Sequence, residues 1–376
     1  MRQGNHPLRI VAIGGGTGLS TLLHGLKRYA RTRDAIVESP MASAVVDITA
    51  IVTVTDDGGS SGRLRREFAV LPPGDIRSCL VALSEDETLL SRLFQYRFSE
   101  GRGLKGHSFG NLFLTALSDL TGDFTQAVKL SSEVLAIAGR IYPATSANVI
   151  LQARLENGKE VTGETRISKS RSGIERITLD PPGCRPLPET LQAIRDADLI
   201  TLGPGSLFTS VVPNILVRGI PEAIASSSAL KAYFVNLMWQ PGETVGFGAS
   251  DHVEALYKHA GLEFLDCVVL NTRGIRPALL RKYAAQHARP VENDIEKLHE
   301  MSLKVVATDL LDQHKKIRHN PDAAAAVCVA LAQRARRRIL AASHLSTNTR
   351  IGERGGRVAD PSENAVLPSA LSRKPS

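Results

Sequence analysis

The sequence has few cysteines, no long apolar run and no hydrophobic signal at its start, and each absence excludes a class of protein. Its four cysteines lie far apart without a Cys-x-x-Cys pair, so they indicate buried free thiols rather than a disulfide framework or a zinc knuckle. No apolar run approaches the roughly 20 residues that span a bilayer. The opening MRQGNHPLRIVAIGGG passes directly into a strand. We therefore expect a cytoplasmic protein without a membrane span.

The body of the chain also lacks a strong excess of charge of either sign. The chain has 46 basic and 38 acidic residues, a formal net charge of +8. Residues 334–376 alone hold nine Lys and Arg against three acids, which leaves the remainder close to neutral. The basic balance therefore belongs to the C-terminal end, and it indicates no nucleic-acid partner for the body.

What the sequence does contain is an alternation of strand and helix patterns. With 43% hydrophobic and 22% charged residues, the composition is that of a globular protein. Continuous β-branched and aliphatic runs, typical of strands buried on both faces, alternate with amphipathic helical patterns. This order predicts an α/β fold with a doubly wound, mostly parallel sheet. The strand-like runs are 8–13, 48–54, 197–202, 231–238, 266–271 and 303–308, and the clearest helical patterns are 19–30, 90–98 and 249–261.

Two stretches break this alternation. Residues from about 104 to 188 contain helical segments and then VILQARLENGKEVTGETRI, in which Asn157-Gly158 predicts a hairpin. We expect an inserted α+β layer there, within one domain over residues 8–335. After about Leu340 the sequence is rich in Ser, Arg, Gly and Pro without periodicity, which predicts a basic disordered tail over 340–376.

A glycine-rich turn, GGGTG, follows the first predicted strand and begins at Gly14. Such a turn lets backbone N–H groups and the helix N-terminus approach a phosphate. It lacks the Lys-Ser/Thr of a Walker A loop, and Leu19 stands where the third glycine of GxGxxG belongs. The pattern favours phosphate binding, with a purely structural tight turn as the alternative.

Two adjacent carboxylates, Asp56 and Asp57, follow the second predicted strand and precede GGSSG. The carboxyl end of a parallel strand is where α/β proteins bind ligands. These carboxylates could hold a divalent cation, accept from a ribose or base, or act as a general base. The alternative is a solvated turn in which an Asp caps a helix.

Three later positions add polar groups at strand ends or near the C-terminus. The turn Gly203-Pro204-Gly205-Ser206 has the chemistry of a second phosphate contact, or forms only a turn. Asn236 could read a base or sugar edge, or satisfy a local turn. Arg318 supplies a fixed cation, or is an ordinary surface residue.

Two further motifs are weaker. The rigid turn LPPGDIR presents Asp75 and Arg77, and a Pro-Gly turn with a capping Asp explains it equally well. In GHSFGN, His107 and Ser108 could move a proton or bind phosphate, but no acid stands at a fixed spacing to complete a triad.

The motifs taken in order resemble a known family over about Leu8 to Ala325. It is the bacterial gluconeogenesis factor family, the YvcK/CofD-like group, which is homologous to the 2-phospho-L-lactate transferases. The resemblance implies a Rossmann-like fold, a UDP-N-acetylglucosamine-like ligand, and a role in carbon metabolism and cell shape under gluconeogenic growth. The motifs that carry it are GGGTGLSTLLHGLK, DITAIVTVTDDGGSSGRLR, LPPGDIRSCLVAL, LFQYRF, GHSFGNL, ADLITLGPGSLFTS, NLMWQPGET and ASDHVEAL.

The same resemblance implies a ligand pocket and assigns no catalytic residue. Its GGGTG, DDGGSSG, GPGS and NLM segments, with a Tyr and an Arg near the C-terminus, line the pocket in the family. The corresponding residues here are Gly14, Gly15, Gly16, Thr17, Gly18, Asp56, Asp57, Gly58, Gly59, Ser60, Ser61, Gly203, Gly205, Ser206, Asn236, Tyr283 and Arg318.

Two functional classes remain open at this stage. In the first, the protein is a regulator that binds a UDP-sugar, forms a homo-oligomer and signals to a protein partner. In the second, it is a magnesium-dependent transferase of a phosphate-bearing group, with Asp56 and Asp57 as metal ligands. NAD-dependent oxidoreduction ranks below both. The GxGxxG dinucleotide-binding motif is incomplete, and the sequence shows no set of residues typical of hydride transfer.

Overall fold

A seven-stranded parallel sheet forms the centre of the fold. The computed structural model describes residues 6–30, 45–85 and 89–354, with side chains described as far as 341. Numbered along the chain and given in order across the sheet, the strands are β10 (Lys304–Thr308), β9 (Cys267–Asn271), β8 (Leu230–Phe234), β7 (Leu199–Leu202), β1 (Leu8–Gly14), β2 (Val46–Val52) and β3 (Arg140–Pro143).

Six of these strands coincide with the six continuous apolar runs of the sequence. Ile10, Ala12 and Ile13 of β1 are fully buried, because helices cover the sheet and leave no solvent face. The predicted α/β, doubly wound fold is confirmed. The seventh strand, β3, lies inside the stretch predicted as an insert, and it is too short to give a recognisable apolar run.

The order of the strands reverses between β1 and β7. The chain passes from β1 to β2 and β3 on one side, then returns to place β7, β8, β9 and β10 on the other. β1 pairs in parallel with both neighbours, with Gly14 opposite Val52 of β2 and Ile13 opposite Leu202 of β7. Loops leave such a switch point in opposite directions, which opens a crevice at the carboxyl ends of the strands.

Helices connect these strands, and several end where the sequence indicates. Gly261, with φ of 74°, follows the helix predicted over 249–261 as its left-handed C-cap. In chain order, the helices are α1 (Gly16–Leu26), α2 (Gly59–Phe68), α3 (Gly74–Leu83), α4 (Leu89–Gln95), α5 (Phe109–Thr121), α6 (Phe124–Val134), α7 (Glu164–Ile167), α8 (Pro188–Asp196), α9 (Val212–Ile215), α10 (Ile220–Ser226), α11 (Ala249–Ala260), α12 (Pro277–Ala284), α13 (Ile295–Glu300) and α14 (Pro321–Arg354), with a 3₁₀ turn at Lys27–Tyr29 and a π-helical turn at Leu207–Val211.

The predicted insert forms a second, antiparallel sheet. Strand β4 (Ile150–Leu155) lies between β5 (Glu160–Thr162) and β6 (Ile174–Asp180). The Asn157-Gly158 hairpin joins β4 to β5 as predicted, and Gly158 adopts the φ of 78° that the turn requires. A small two-stranded ribbon, β11 (Leu311–Asp312) and β12 (Arg318–His319), follows β10.

No single helix in the described ranges is long and apolar enough to cross a membrane. One pair of helices, Leu207–Ile215 and Ile220–Ser226, is long and apolar enough when taken together, but the two are bent by 77° relative to each other. Its apolar side chains belong to the buried core of the domain. The four cysteines are buried free thiols, as the sequence predicts.

The last helix extends beyond the point where the sequence predicts the tail to begin. Helix α14 runs to Arg354, past Leu340, while residues 355–376 lie outside the described residues. The chain divides into two units, 1–336 and 337–376. The side chains that α14 buries in the core end at Ala335.

This burial pattern gives a prediction for the C-terminal end. Truncation after Leu340 is expected to leave the melting temperature unchanged, because residues 337–340 of α14 are exposed. Thermal unfolding of the truncated and full-length chains checks it. A large fall in melting temperature would show that later residues pack on the body.

An ionic clasp joins α14 to the start of β1. The Arg336 guanidinium donates to both carboxylate oxygens of Asp198, and to the carbonyls of His6 and, at 2.6 Å, Pro7. Asp198, whose side chain is only 6% exposed, also accepts from the Arg9 backbone N–H at 2.7 Å. A buried carboxylate is stable only while it is paired.

Arg336→Ala is therefore expected to destabilise the fold by about 2 kcal/mol, because it removes the bidentate guanidinium from Asp198 and leaves that buried carboxylate only the more distant Arg9 guanidinium, at 3.9 Å, and the Arg9 backbone N–H. Urea unfolding measures the change. Arg337→Ala, an exposed neighbour on the same helix, is the control and should change the free energy of unfolding by less than about 0.5 kcal/mol. Equal effects of the two substitutions would contradict a structural role for the clasp.

Candidate functional site

A cleft of about 600 Å³ opens at the carboxyl ends of β1, β7 and β8, beside the switch point. Its walls come from the loops after these strands, from α7 of the insert, from α12 and from β12. Nine of the residues predicted from the sequence line this cleft: Gly15, Gly16, Thr17, Gly18, Gly205, Ser206, Asn236, Tyr283 and Arg318.

The first glycine loop needs its glycines for packing as well as for access. Gly16 has φ of +60°, a left-handed conformation that glycine adopts without strain. A Cβ at Gly18 would lie 2.6 Å from the carbonyl carbon of Pro204 and 2.8 Å from Cα of Gly205. The two glycine loops therefore pack directly against each other, as the structural alternative for the first loop requires, and phosphate binding by this loop stays a prediction.

A chain of side-chain hydrogen bonds orients the loop after β8. Asn236 donates through Nδ2 to Oε1 of Gln240 at 3.0 Å, and Gln240 donates through Nε2 to Oγ of Ser206 at 2.6 Å. These two hydrogen bonds hold the Asn236 amide in one orientation. They also join the loop after β8 to the second glycine loop.

Tyr283 and Arg318 reach the cleft from distant parts of the sequence. The Tyr283 hydroxyl accepts the Ile317 backbone N–H at 3.1 Å, next to Arg318 on β12. A small apolar cluster, which includes Met238 and Ile317, supports both segments. The Arg318 side chain is exposed and forms no ion pair within the described ranges, so its guanidinium is available to a ligand.

The DDGGSSG segment lies beside the cleft rather than in its wall. Asp57 Oδ1 accepts from the backbone N–H and the hydroxyl of Thr165, at 2.8 and 2.6 Å, and so ties α7 to the sheet. Asp56 Oδ1 accepts the Gly58 N–H at 2.9 Å. The residues that the sequence predicts for the pocket and that do not line it are Gly14, Asp56, Asp57, Gly58, Gly59, Ser60, Ser61 and Gly203.

The remaining motifs pack against this segment. Ser60 Oγ lies 3.0 Å from Nδ1 of His107, and Asn111 donates to Ser61 Oγ at 3.4 Å. All four side chains are buried. The GHSFGN motif therefore supports the loop after β2, and His107 has no contact with the cleft lining.

Asp75, from the LPPGDIR turn, faces the first glycine loop. It accepts the backbone N–H of Gly16, and a Cβ on Gly15 would lie 2.7 Å from its Oδ2. Burial, and then the charge of Asp56, raise the pKa of Asp75 to about 7. A carboxyl group that titrates near neutral pH thus competes with any anion for the N-terminus of α1.

Two glutamates line the opposite side of the cleft. Glu243 accepts from the hydroxyls of Ser168 and Thr209, both at 3.2 Å, through Oε1, while its buried Oε2 has no partner in the described structure. Burial raises the pKa of Glu243, and burial with the charge of Asp75 raises that of Glu164. Both carboxyl groups therefore take up a proton more readily than exposed glutamates do.

Three residues that line the cleft were not predicted from the sequence: Glu164, Gln240 and Glu243. Glu243 and Gln240 lie in NLMWQPGET, so their closeness to Asn236 was the available signal. Glu164 carries no local signal, because the insert alone brings it to the cleft.

Among the described residues, no group of three or more His, Cys, Asp or Glu side chains is arranged to hold a metal ion. Asp56 and Asp57 are the metal ligands that the sequence predicts. Asp57 uses one oxygen for Thr165, whereas Asp56 and Asp75 are close enough for the charge of one to raise the pKa of the other.

The fold and the site define a class: an α/β protein with a glycine-lined ligand cleft at the switch point of a parallel sheet. Residues 10–311 match the family described as 2-phospho-L-lactate transferase CofD. The chain belongs to this family.

Relatives with a narrower description are also similar. The gluconeogenesis factor of Bacillus subtilis is 47% identical over 324 residues, which cover 86% of this chain and 98% of that protein. The gluconeogenesis factor of Halalkalibacterium halodurans is 47% identical over 312 residues, 83% and 92% of the two chains. A crystal structure of a Bacillus halodurans protein matches with a TM-score of 0.80 at 44% identity, and covers 86% of this chain and all of that one.

Proposed function

We propose that the cleft binds a UDP-sugar such as UDP-N-acetylglucosamine, and that the protein is a cytoplasmic regulator of carbon metabolism and cell shape during gluconeogenic growth. The observation that carries the proposal is the convergence of the α1 N-terminus, the second glycine loop and the unpaired Arg318 on one cleft. Fixed N–H groups and a guanidinium are the donors that a diphosphate requires.

The other walls suit the uncharged parts of such a ligand. In this proposal the fixed amide of Asn236 contacts the base or sugar. Glu164 and Glu243 contact sugar hydroxyl groups, and their raised pKa values reduce the repulsion between these carboxyl groups and the diphosphate. The name of the relatives, gluconeogenesis factor, supports the regulatory role. As a regulator, the protein is proposed to form a homo-oligomer and to signal to a protein partner.

Calorimetric titration with UDP-N-acetylglucosamine, beside phosphorus-detected turnover of the same compound, tests the proposal. We expect saturable binding without turnover. A folded protein that shows no saturable binding would refute the UDP-sugar assignment, and turnover would refute the purely regulatory one.

The alternative is a magnesium-dependent transferase of a phosphate-bearing group, and the match to the transferase family supports it. Magnesium would stabilise negative charge on the transferred phosphate. Asp56 and Asp57 are the proposed metal ligands, and Asp75 lies close enough to Asp56 for that charge, after burial, to raise the pKa of Asp75. A divalent cation there would stabilise the ionised carboxylates. Asp57 would position α7 through Thr165. Magnesium-dependent turnover of a nucleoside-diphosphate donor, lost in Asp75→Asn, would favour this function.

The titration of Asp75 gives a pH prediction for the regulator. Affinity for UDP-N-acetylglucosamine is expected to fall several-fold from pH 6 to pH 8, because the Asp75 carboxyl is largely neutral below its pKa of about 7 and repels the diphosphate when ionised above it. Calorimetry at both pH values measures the change.

Asp75→Asn is the matched control for this pH effect, since the amide keeps the shape and carries no charge. The variant is expected to bind with nearly the same affinity at pH 6 and pH 8. An unchanged pH dependence in the variant would show that another group is responsible.

A further inference from the structure

We propose a second binding site for a phosphate-bearing small molecule, on the outer side of the inserted layer. A cavity of about 590 Å³ lies between the Asn157-Gly158 hairpin and the loop that follows α7. Its charged lining residues are Lys159, Arg166, Lys169 and Arg171. We call it the basic pocket.

The four cations of the basic pocket have no acidic partner among the described residues. They form no ion pair in the described part of the chain, and no carboxylate is among the residues that line the cavity there. The adjacent Glu156 packs its carboxyl group against Gly173, where a Cβ would lie 2.5 Å from it. Four like charges around one cavity repel each other, and a multivalent anion would remove this repulsion.

The pocket also offers neutral contacts. Ser170 and Ser172 line it, and the Ser170 hydroxyl both donates to the Ser172 carbonyl and accepts its N–H, at 3.2 Å in each case. This local pair fixes the turn that carries Lys169 and Arg171. Leu155 and Val161 form an apolar part of the wall. Guanidinium groups and ammonium groups with a small apolar surface suit an organic phosphate.

The basic pocket is distinct from the cleft, although one short segment separates them. Glu164 and Ser168 line the cleft, whereas Arg166 and Lys169 line the basic pocket. Between them, Thr165 is bonded to Asp57, and Ile167 is fully buried. The two cavities share no lining residue, so a substitution in one replaces no side chain that lines the other.

Calorimetric titration of the full chain with inorganic pyrophosphate tests the proposal. Because the cleft also has donors for a diphosphate, the titration is done in the Arg318→Glu background, which places a negative charge at the cleft. We expect saturable binding there, weakened as salt rises. Absence of saturable pyrophosphate binding in this background would overturn the proposal, whatever the cleft binds.

The specific variant is Lys169→Glu with Arg171→Glu, added to Arg318→Glu. Its affinity for pyrophosphate is expected to fall at least about tenfold. The matched control is Lys129→Glu with Arg218→Glu in the same background, since these exposed cations lie outside the pocket and change the net charge equally. Equal losses of pyrophosphate affinity in the two variants would show that only the net charge matters, and would overturn the site. Tighter binding of a glutamate-rich peptide than of pyrophosphate would also overturn the proposal.

Discussion

Gly16→Val is expected to reduce the affinity for UDP-N-acetylglucosamine at least about 100-fold while the chain remains folded. The side chain would stand at the N-terminus of α1, where the backbone N–H groups of the first glycine loop are proposed to bind the diphosphate. Each charge-assisted hydrogen bond contributes about 1.5–3 kcal/mol, so two lost bonds suffice for this effect. Calorimetric titration measures it.

The fold should tolerate this substitution. Among the described residues, and apart from the adjacent residues and the backbone of α1, a Cβ at Gly16 would meet only Ser210 Oγ, at 3.7 Å. The cost is therefore mainly the backbone strain of a side chain at φ of +60°, about 1–2 kcal/mol. Gly122→Val is the matched control, because Gly122 has φ of +66°, open space around it and a position at the end of α5. Similar affinities in the two variants would remove the first glycine loop from the site.

Arg318→Ala is expected to weaken the binding of UDP-N-acetylglucosamine tenfold or more. The guanidinium lies at the cleft without a competing carboxylate within the described ranges, and a charge-assisted bond to phosphate contributes about 1.5–3 kcal/mol. Arg318→Lys should restore only part of the affinity, because an ammonium group lacks the bidentate geometry. Calorimetric titration of both variants with UDP-N-acetylglucosamine, at two salt concentrations, measures these affinities.

The control for this prediction is Arg281→Ala. Arg281 is exposed on α12, the helix that carries Tyr283, but does not line the cleft. It should leave the affinity within about twofold of the wild type. If Arg318→Ala and Arg281→Ala bind alike, Arg318 is a surface residue without a role in ligand binding.

Local sequence patterns were enough to predict the buried strands and the hairpin turn, because both depend on a few consecutive residues. A strand covered on both faces needs a continuous apolar run, and six such runs became six parallel strands. The Asn157-Gly158 turn needs positive φ, and its two residues stand together in the sequence. The edge strand β3 escaped detection because four residues at a sheet edge need no such run.

Apart from what the family resemblance implied, the candidate site was predictable only where its residues follow strands. Gly16 and Ser206 follow the ends of β1 and β7 by two and four residues, so the chain order that predicts a parallel sheet also predicts that their loops meet. Asp57 satisfies the same rule, yet its carboxylate bonds to Thr165 in the insert. A strand end fixes the position of a backbone, and the partner of its side chain depends on whatever packs there.

The sequence by itself determined the fold class, the position of the glycine loops and the location of the basic charge, because burial, turn geometry and charge act over a few residues. No local pattern placed Tyr283 and Arg318 beside the first glycine loop, which the family resemblance alone implied. The tertiary structure decided how these two residues reach the cleft, that Glu164 and Glu243 line it with raised pKa values, and that Asp75 faces the glycine loop. These contacts join segments separated by tens to hundreds of residues. Such contacts depend on how the insert and the C-terminal ribbon pack against the sheet, which leaves no periodic signal in the chain.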